Sequence, residues 1–134
     1  MNAEHALTLI KLAHTAIWAV MATAVVMLPI VALRGRFRLA GWFTALVVLE
    51  CAVLALNGGR CPLTDVAVRF TTNRDANFDI YLPVWLAKHN KAIFGGMFVA
   101  GEIVLLWRWV KSRLAANNRS IDSEARGSAR PRSG

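Results

Sequence analysis

Seven residues have types and positions that can carry chemistry: His14, Glu50, Cys51, Cys61, Thr64, Tyr81 and Glu102. His14, Glu50 and Glu102 stand inside long apolar runs. An ionisable group there is costly, so it marks a path or site for protons, ions or a polar ligand. A histidine and a carboxylate that meet in a low dielectric share a proton and titrate as a unit. The same pair also serves as a simple clasp between two helices, worth about 0.6–2 kcal/mol. Both readings hold for His14 and Glu50. Cys51 and Cys61 are ten residues apart, which matches neither a Cys-x-x-Cys redox motif nor zinc-finger spacing. Joining them in a disulfide requires the intervening turn to fold back into the helix mouth. Otherwise Cys51 is a small packed hydrophobe and Cys61 a free thiol in the turn, the more reactive of the two. No cofactor and no metal is expected. The alternatives are a metal at His14, Glu50 and Cys61, or a haem between His14 and His89. His5 reads as an exposed terminal residue.

The elements that position these residues follow from the distribution of apolar residues. The chain has 134 residues, 56% of them apolar, against about 45–50% in soluble domains. Residues 12–33 carry no formal charge, residues 39–56 carry only Glu50, and residues 92–107 carry only Glu102. A helix crosses a bilayer in roughly 17–25 residues. The fold class predicted is therefore an all-α integral membrane bundle with three transmembrane helices, at about residues 8–33, 39–57 and 91–111. A fourth, short helix lies outside, interfacial or re-entrant, in the outer loop 58–90. At a rise of about 1.5 Å per residue, Glu50 lies roughly 10 Å inside the outer end of span two. His14 lies at a similar depth in span one. These antiparallel neighbours are joined by five residues, so His14 and Glu50 are placed to meet. Glu102 falls near mid-membrane and reaches the pair only through tilt.

The net charge of +8 is placed beside the spans, as Arg34, Arg36 and Arg38 and again from Arg108 onward. That is the pattern of cytoplasmic membrane flanks and not of a nucleic-acid surface. It predicts the N-terminus outside, the C-terminus inside and the loop 58–90 outward. Trp42, Trp107 and Trp109 then stand near the inner interface, Tyr81 and Trp85 near the outer one. The first apolar run is far longer than a signal-peptide core and reads as a permanent helix, kinked near Pro29. Pro62 suits the first turn of a short helix. Residues 78–87 are apolar and aromatic but too short to span, and read as interfacial. The tail, 112–134, is rich in Arg, Ser, Asn and Gly and is expected to be disordered and cytoplasmic. Gly95, Gly96, Ala100 and Gly101 make a small-residue face suited to close helix packing.

His14, Glu50 and the turn Cys61-Pro62-Leu63-Thr64 resemble a family of small bacterial inner-membrane proteins classed as a domain of unknown function. Its members carry a His in helix one, a Glu late in helix two and a Cys-Pro-Leu-Thr turn. A short apolar segment with Pro follows, matched here by Asp79-Ile80-Tyr81-Leu82-Pro83. The resemblance covers about residues 8–111. The chain departs from the family at Val66-Ala67, where an acidic Leu-Glu often follows, and at Asp79-Ile80-Tyr81, where the family often has Glu-His-Tyr. The resemblance implies a bacterial inner-membrane location and a convergence of His14, Glu50, Cys61, Thr64 and Tyr81 at the outer third of the membrane; it implies no reaction. The expected function is a non-enzymatic module or accessory subunit of an envelope complex. The partners expected are the lipid bilayer and a membrane protein or second copy, with no nucleic acid. The rival readings are a metal- or redox-active membrane enzyme or carrier using His14, Glu50 and Cys61, and an oligomeric proton-coupled transporter.

Overall fold

The computed structural model describes residues 2–128. The chain forms four helices: α1 (Ala3–Leu33), α2 (Phe37–Leu56), α3 (Pro62–Ala67) and α4 (Val84–Ser128). There is no strand among the described residues. Three of the helices, α1, α2 and α4, are long and apolar enough to cross a membrane. They run alternately up and down. The start of α1 and the segment between α2 and α4 therefore lie at one end, here the mouth. The turn with Arg34, Arg36 and Arg38 lies at the other, together with the continuation of α4.

The two helix ends that set this course use the same device. At the end of α1, Gly35 N–H bonds to Ala32 O and Arg36 N–H bonds to Val31 O. At the end of α2, Gly59 N–H bonds to Leu54 O. Gly35 and Gly58 take φ of 72° and 64°, which residues with a Cβ adopt only at a cost. Each glycine turns the chain while its neighbours satisfy the last carbonyls of the helix.

Packing is closest in the half of the bundle nearer the arginine turn. Leu28, Ala32 and Ala40 are fully buried there, and Leu28, Val31 and Ala40 pack with Phe43, Phe98 and Leu105. A Cβ on Gly101 would lie 3.0 Å from Leu28 Cδ2 and 3.4 Å from Pro29 Cδ, so α4 approaches α1 at van der Waals distance at that level. The small-residue face does not pack along its length: Cβ atoms on Gly95 and Gly96 would meet nothing within 4 Å. Helix α1 contacts both α2 and α4, whereas α2 and α4 touch at few positions. Most apolar side chains point away from the bundle; Trp42, Leu49 and Ile103 are 73%, 63% and 62% exposed. A protein surrounded by water rarely displays such continuous apolar faces.

Three features differ from the sequence expectation. The third long helix starts at Val84 and not near residue 91. Residues 78–83 are irregular, and 84–87 form the first turn of α4 instead of an interfacial helix. Pro83 explains the boundary, because proline disfavours helix in the residue before it and permits helix after it. The short outer helix is α3, ending at Ala67. Finally, residues 112–128 are helical and exposed, where disorder was expected. Leu114, Ala115, Ala116, Arg119, Glu124 and Arg126 are sound helix formers, and a segment continuing an existing helix avoids the unfavourable nucleation step. Residues 129–134 of the expected tail lie outside the described residues.

Candidate functional site

The mouth of the bundle is closed in part by residues 68–83, a strap that returns from α3 to α4 across α1. Its key residue is Asp79, which is 4% exposed. A buried carboxylate needs compensation for the water it loses, and two elements supply it. From α1, His14 Nδ1 stands 3.2 Å from Asp79 Oδ2. The ring N–H does not aim along a straight line at that oxygen, so His14 Nδ1 lacks a well-formed hydrogen bond. The contact is a short electrostatic one. From α3, the Thr64 hydroxyl donates to the same carboxylate oxygen. Burial alone would raise the Asp79 pKa; the His14 contact and the Thr64 hydroxyl overcome it and hold the carboxyl below its usual value. A second tie lies one residue along α1, where Tyr81 N–H donates to Thr15 Oγ1 at 3.0 Å.

Thr64 is in place because the turn before it is braced. Cys61 takes an extended conformation and Pro62 opens α3, as proline suits the first helical position. The Asn57 amide nitrogen donates to Arg60 O at 3.0 Å and to Asp65 Oδ2 at 2.7 Å. Arg60 faces Asp65 at 3.7 Å. Lys91 of α4 donates to Gly59 O, and Trp18 Nε1 of α1 donates to Asn90 Oδ1 at 2.8 Å. The Cys61 thiol is held above its usual pKa. Burial is the main cause, and the Glu50 and Asp79 carboxylates add to it against the opposing Leu63 and Thr64 backbone amides.

Beneath the strap, a cavity of about 710 Å³ opens between α1, α2 and α4. Its mouth carries His14, Glu50, Cys61, Thr64 and Asp79; its depth is lined by Met21, Val25, Val47, Phe94 and Phe98. Trp18 and Phe94 meet edge to face on its wall, with centroids 5.5 Å apart.

The structure thus brings His14, Glu50, Cys61 and Thr64 to one cleft. It does not pair His14 with Glu50. The carboxylate that meets His14 is Asp79, because the strap delivers it into the space between α1 and α3. Glu50 has no hydrogen bond or ion pair among the described residues and faces the cleft. Cys51 lines the same cleft and is exposed, not packed, and it and Cys61 are free thiols. Tyr81 belongs to the strap and ties it to α1 through its backbone N–H on Thr15 Oγ1. The residue is 52% exposed; its ring lies under the Lys11 ammonium at 5.4 Å and is not part of the cleft wall. Glu102 stands apart, accepting from the Thr44 hydroxyl of α2 at 2.6 Å. His89 lies within α4, with Nδ1 2.8 Å from Trp85 O. His5 is an exposed residue of α1. Among the described residues no three of His, Cys, Asp and Glu are grouped closely enough to hold a metal ion.

Asp79 is the residue of the candidate site that reading by depth missed, because loop residues have no depth coordinate. The signal available was its place: an acid set in an apolar, aromatic segment, Phe78-Asp79-Ile80-Tyr81, where burial makes a charge expensive unless something meets it.

Comparison with family models, with curated proteins and with solved structures returned no match for this chain.

Proposed function

We propose that this chain is a small non-enzymatic module of a bacterial inner membrane, an accessory subunit of a larger envelope complex. In this reading the three long helices cross the bilayer, the N-terminus and strap face outward, and the continuation of α4 enters the cytoplasm. The observation that carries the non-enzymatic reading is the mutual engagement of His14, Thr64 and Asp79. These three side chains hold one another and fasten the strap to α1. The resemblance of the Cys61-Pro62-Leu63-Thr64 turn and its upstream Glu50 to small inner-membrane proteins supports the compartment. The broad apolar faces left uncovered, with Leu49 and Ile103 both outward, suit a protein that has neighbours in the plane of the membrane.

The test is the state of the full chain after extraction from its native membrane in a mild detergent. Light scattering with mass spectrometry is expected to find it in constant ratio with one second membrane protein, or with further copies of itself. A monodisperse monomer bound to nothing overturns the reading. A second reading, a redox or metal carrier, has one observation in its favour, the shared cleft of His14, Glu50 and Cys61. Elemental analysis of the purified protein after incubation with zinc or iron checks it, and an unbound metal ion removes it.

A further inference from the structure

The cleft combines features that the strap does not use. Its apolar depth starts near Val25 and Val47 and its polar rim ends near His14. Along α1 that is on the order of 16 Å at the usual helical rise. A volume of about 710 Å³ lies within the range of about 300–1,000 Å³ that small-molecule pockets occupy. Between α2 and α4 the side wall is thin, because those helices touch at few positions. Two small exposed residues line the cleft on those helices, Cys51 on α2 and Gly95 on α4. A Cβ on Gly95 would meet open space. The gap therefore leads sideways, toward what surrounds the helices, and not only upward past the strap. At the point where the apolar depth gives way to polar groups stands Glu50, an acceptor with nothing to accept from. Of the cations lining the cleft, Arg60 meets Asp65, Lys91 donates to Gly59 O, Arg74 donates to Thr71 O and Asn73 O, and Lys88 has no hydrogen bond or ion pair among the described residues.

We propose that this cleft is the binding site of a single-chain amphiphile whose head donates a hydrogen bond, through a hydroxyl or an amine, to Glu50. Its hydrocarbon chain lies against Met21, Val25, Val47, Phe94 and Phe98, and it enters sideways between Cys51 and Gly95. The proposal deepens the reading above, since it rests on the helices being in a bilayer. It adds a ligand class and an entrance. A carboxylate left unpartnered between apolar walls is costly; a donor from the ligand removes that cost. An anionic head is disfavoured, since it would face the like charge of Glu50 and could not donate to it.

The cleft contains one of the chain's five tryptophans, Trp18, and this gives a direct readout. A variant keeping Trp18 alone, the other four changed to Phe, is placed in phosphatidylcholine vesicles. It is titrated with a monoacylglycerol brominated on its chain. Saturable quenching of Trp18 is expected. In Glu50→Leu the half-saturating concentration rises about tenfold, the size of one lost hydrogen bond to a charged group, and in Gly95→Phe the saturable component disappears. The matching brominated fatty acid and methyl ester, which lack a neutral donor head, bind at least as weakly as in Glu50→Leu. Equal quenching by all three lipids, or quenching unchanged in Gly95→Phe, overturns the proposal. A variant keeping Trp42 alone, quenched by brominated phosphatidylcholine, reports insertion itself. Its failure overturns the underlying membrane reading, whereas its success beside unselective Trp18 quenching overturns only the ligand class.

Discussion

Asp79 shows how one residue fixes the mouth of this protein. Its carboxylate is buried between His14 and Thr64, so its cost depends on both partners. Removing one partner of a buried pair leaves the other uncompensated and typically costs about 3–5 kcal/mol. His14→Ala and Asp79→Ala are each expected to lower stability by about 3 kcal/mol, less for Thr64→Val. The double variant His14→Ala/Asp79→Ala should be milder than the sum of the two singles, because no buried charge remains. Denaturant unfolding in detergent micelles measures all four. The pH dependence follows from the depressed Asp79 pKa. A carboxyl whose folded pKa lies below its unfolded one binds fewer protons when folded at moderately acid pH. Its contribution is fully present above the unfolded value, near 4 for a free aspartate, and is lost as pH falls through the folded value. The strap should thus hold at neutral pH and loosen only in strong acid, and Asp79→Asn should abolish that acid transition. Cys61 behaves in the opposite sense. Its raised pKa keeps the thiol protonated, so alkylation of Cys61 by iodoacetamide at pH 8 should be several-fold slower than that of a free peptide cysteine. Releasing the strap through Asp79→Ala should speed it.

Among the helices, α1 holds the others together, since it packs against α2, α3 and α4, whereas α4 was the least legible from sequence. Its apolar middle was evident from residues 92–107. Its beginning was hidden by Pro83, read as a disruption within a short segment when it is the residue that permits the helix to start. Its end was hidden by composition: Ser, Asn and Arg lower apparent order, while Leu114, Ala115 and Ala116 sustain the helix. Helices α1 and α2 were legible because long apolar runs end at glycines that stop them, Gly35 and Gly58. The strap was not legible, since its course is set by contacts distant in sequence, His14 with Asp79 and Thr15 with Tyr81. Two predictions belong to this scale. Gly101→Leu should drive α4 away from Leu28 and Pro29, costing about 1–3 kcal/mol as an overpacked contact, whereas Gly96→Leu, facing open space, should be nearly neutral. Truncation after Lys111 should remove the far-UV helical signal of residues 112–128 and leave the unfolding midpoint unchanged, because that segment is exposed throughout.

At the scale of the whole molecule, the charge map and the fold bear on one quantity, the orientation across the bilayer. Three long helices running alternately up and down put Arg34, Arg36 and Arg38 at the same end as Lys111, Arg113, Arg119 and Arg126. The mouth end also has cations, Arg60, Arg69, Arg74, Lys88 and Lys91, but they share that end with Asp65, Asp75 and Asp79, and Arg60 is drawn to Asp65. Orientation is governed by unopposed Lys and Arg in short flanks more than by net charge, and the turn of α1 and α2 holds three arginines without an acid. The Arg108 guanidinium also donates to Leu33 O at 3.1 Å, which anchors α4 to the arginine turn at this end. The expected topology is therefore N-terminus outside and C-terminus inside. In intact cells, an impermeant maleimide should label a cysteine placed at Asn73 of the strap and spare one placed at Ser120 of α4, both in a background lacking Cys51 and Cys61. Replacing Arg34, Arg36 and Arg38 with Gln should give a mixed population in which both positions become partly labelled, because the basic continuation of α4 remains to oppose inversion. Labelling confined to Ser120 in the parent chain would reverse the orientation, and the cleft at Glu50 would then open toward the cytoplasm.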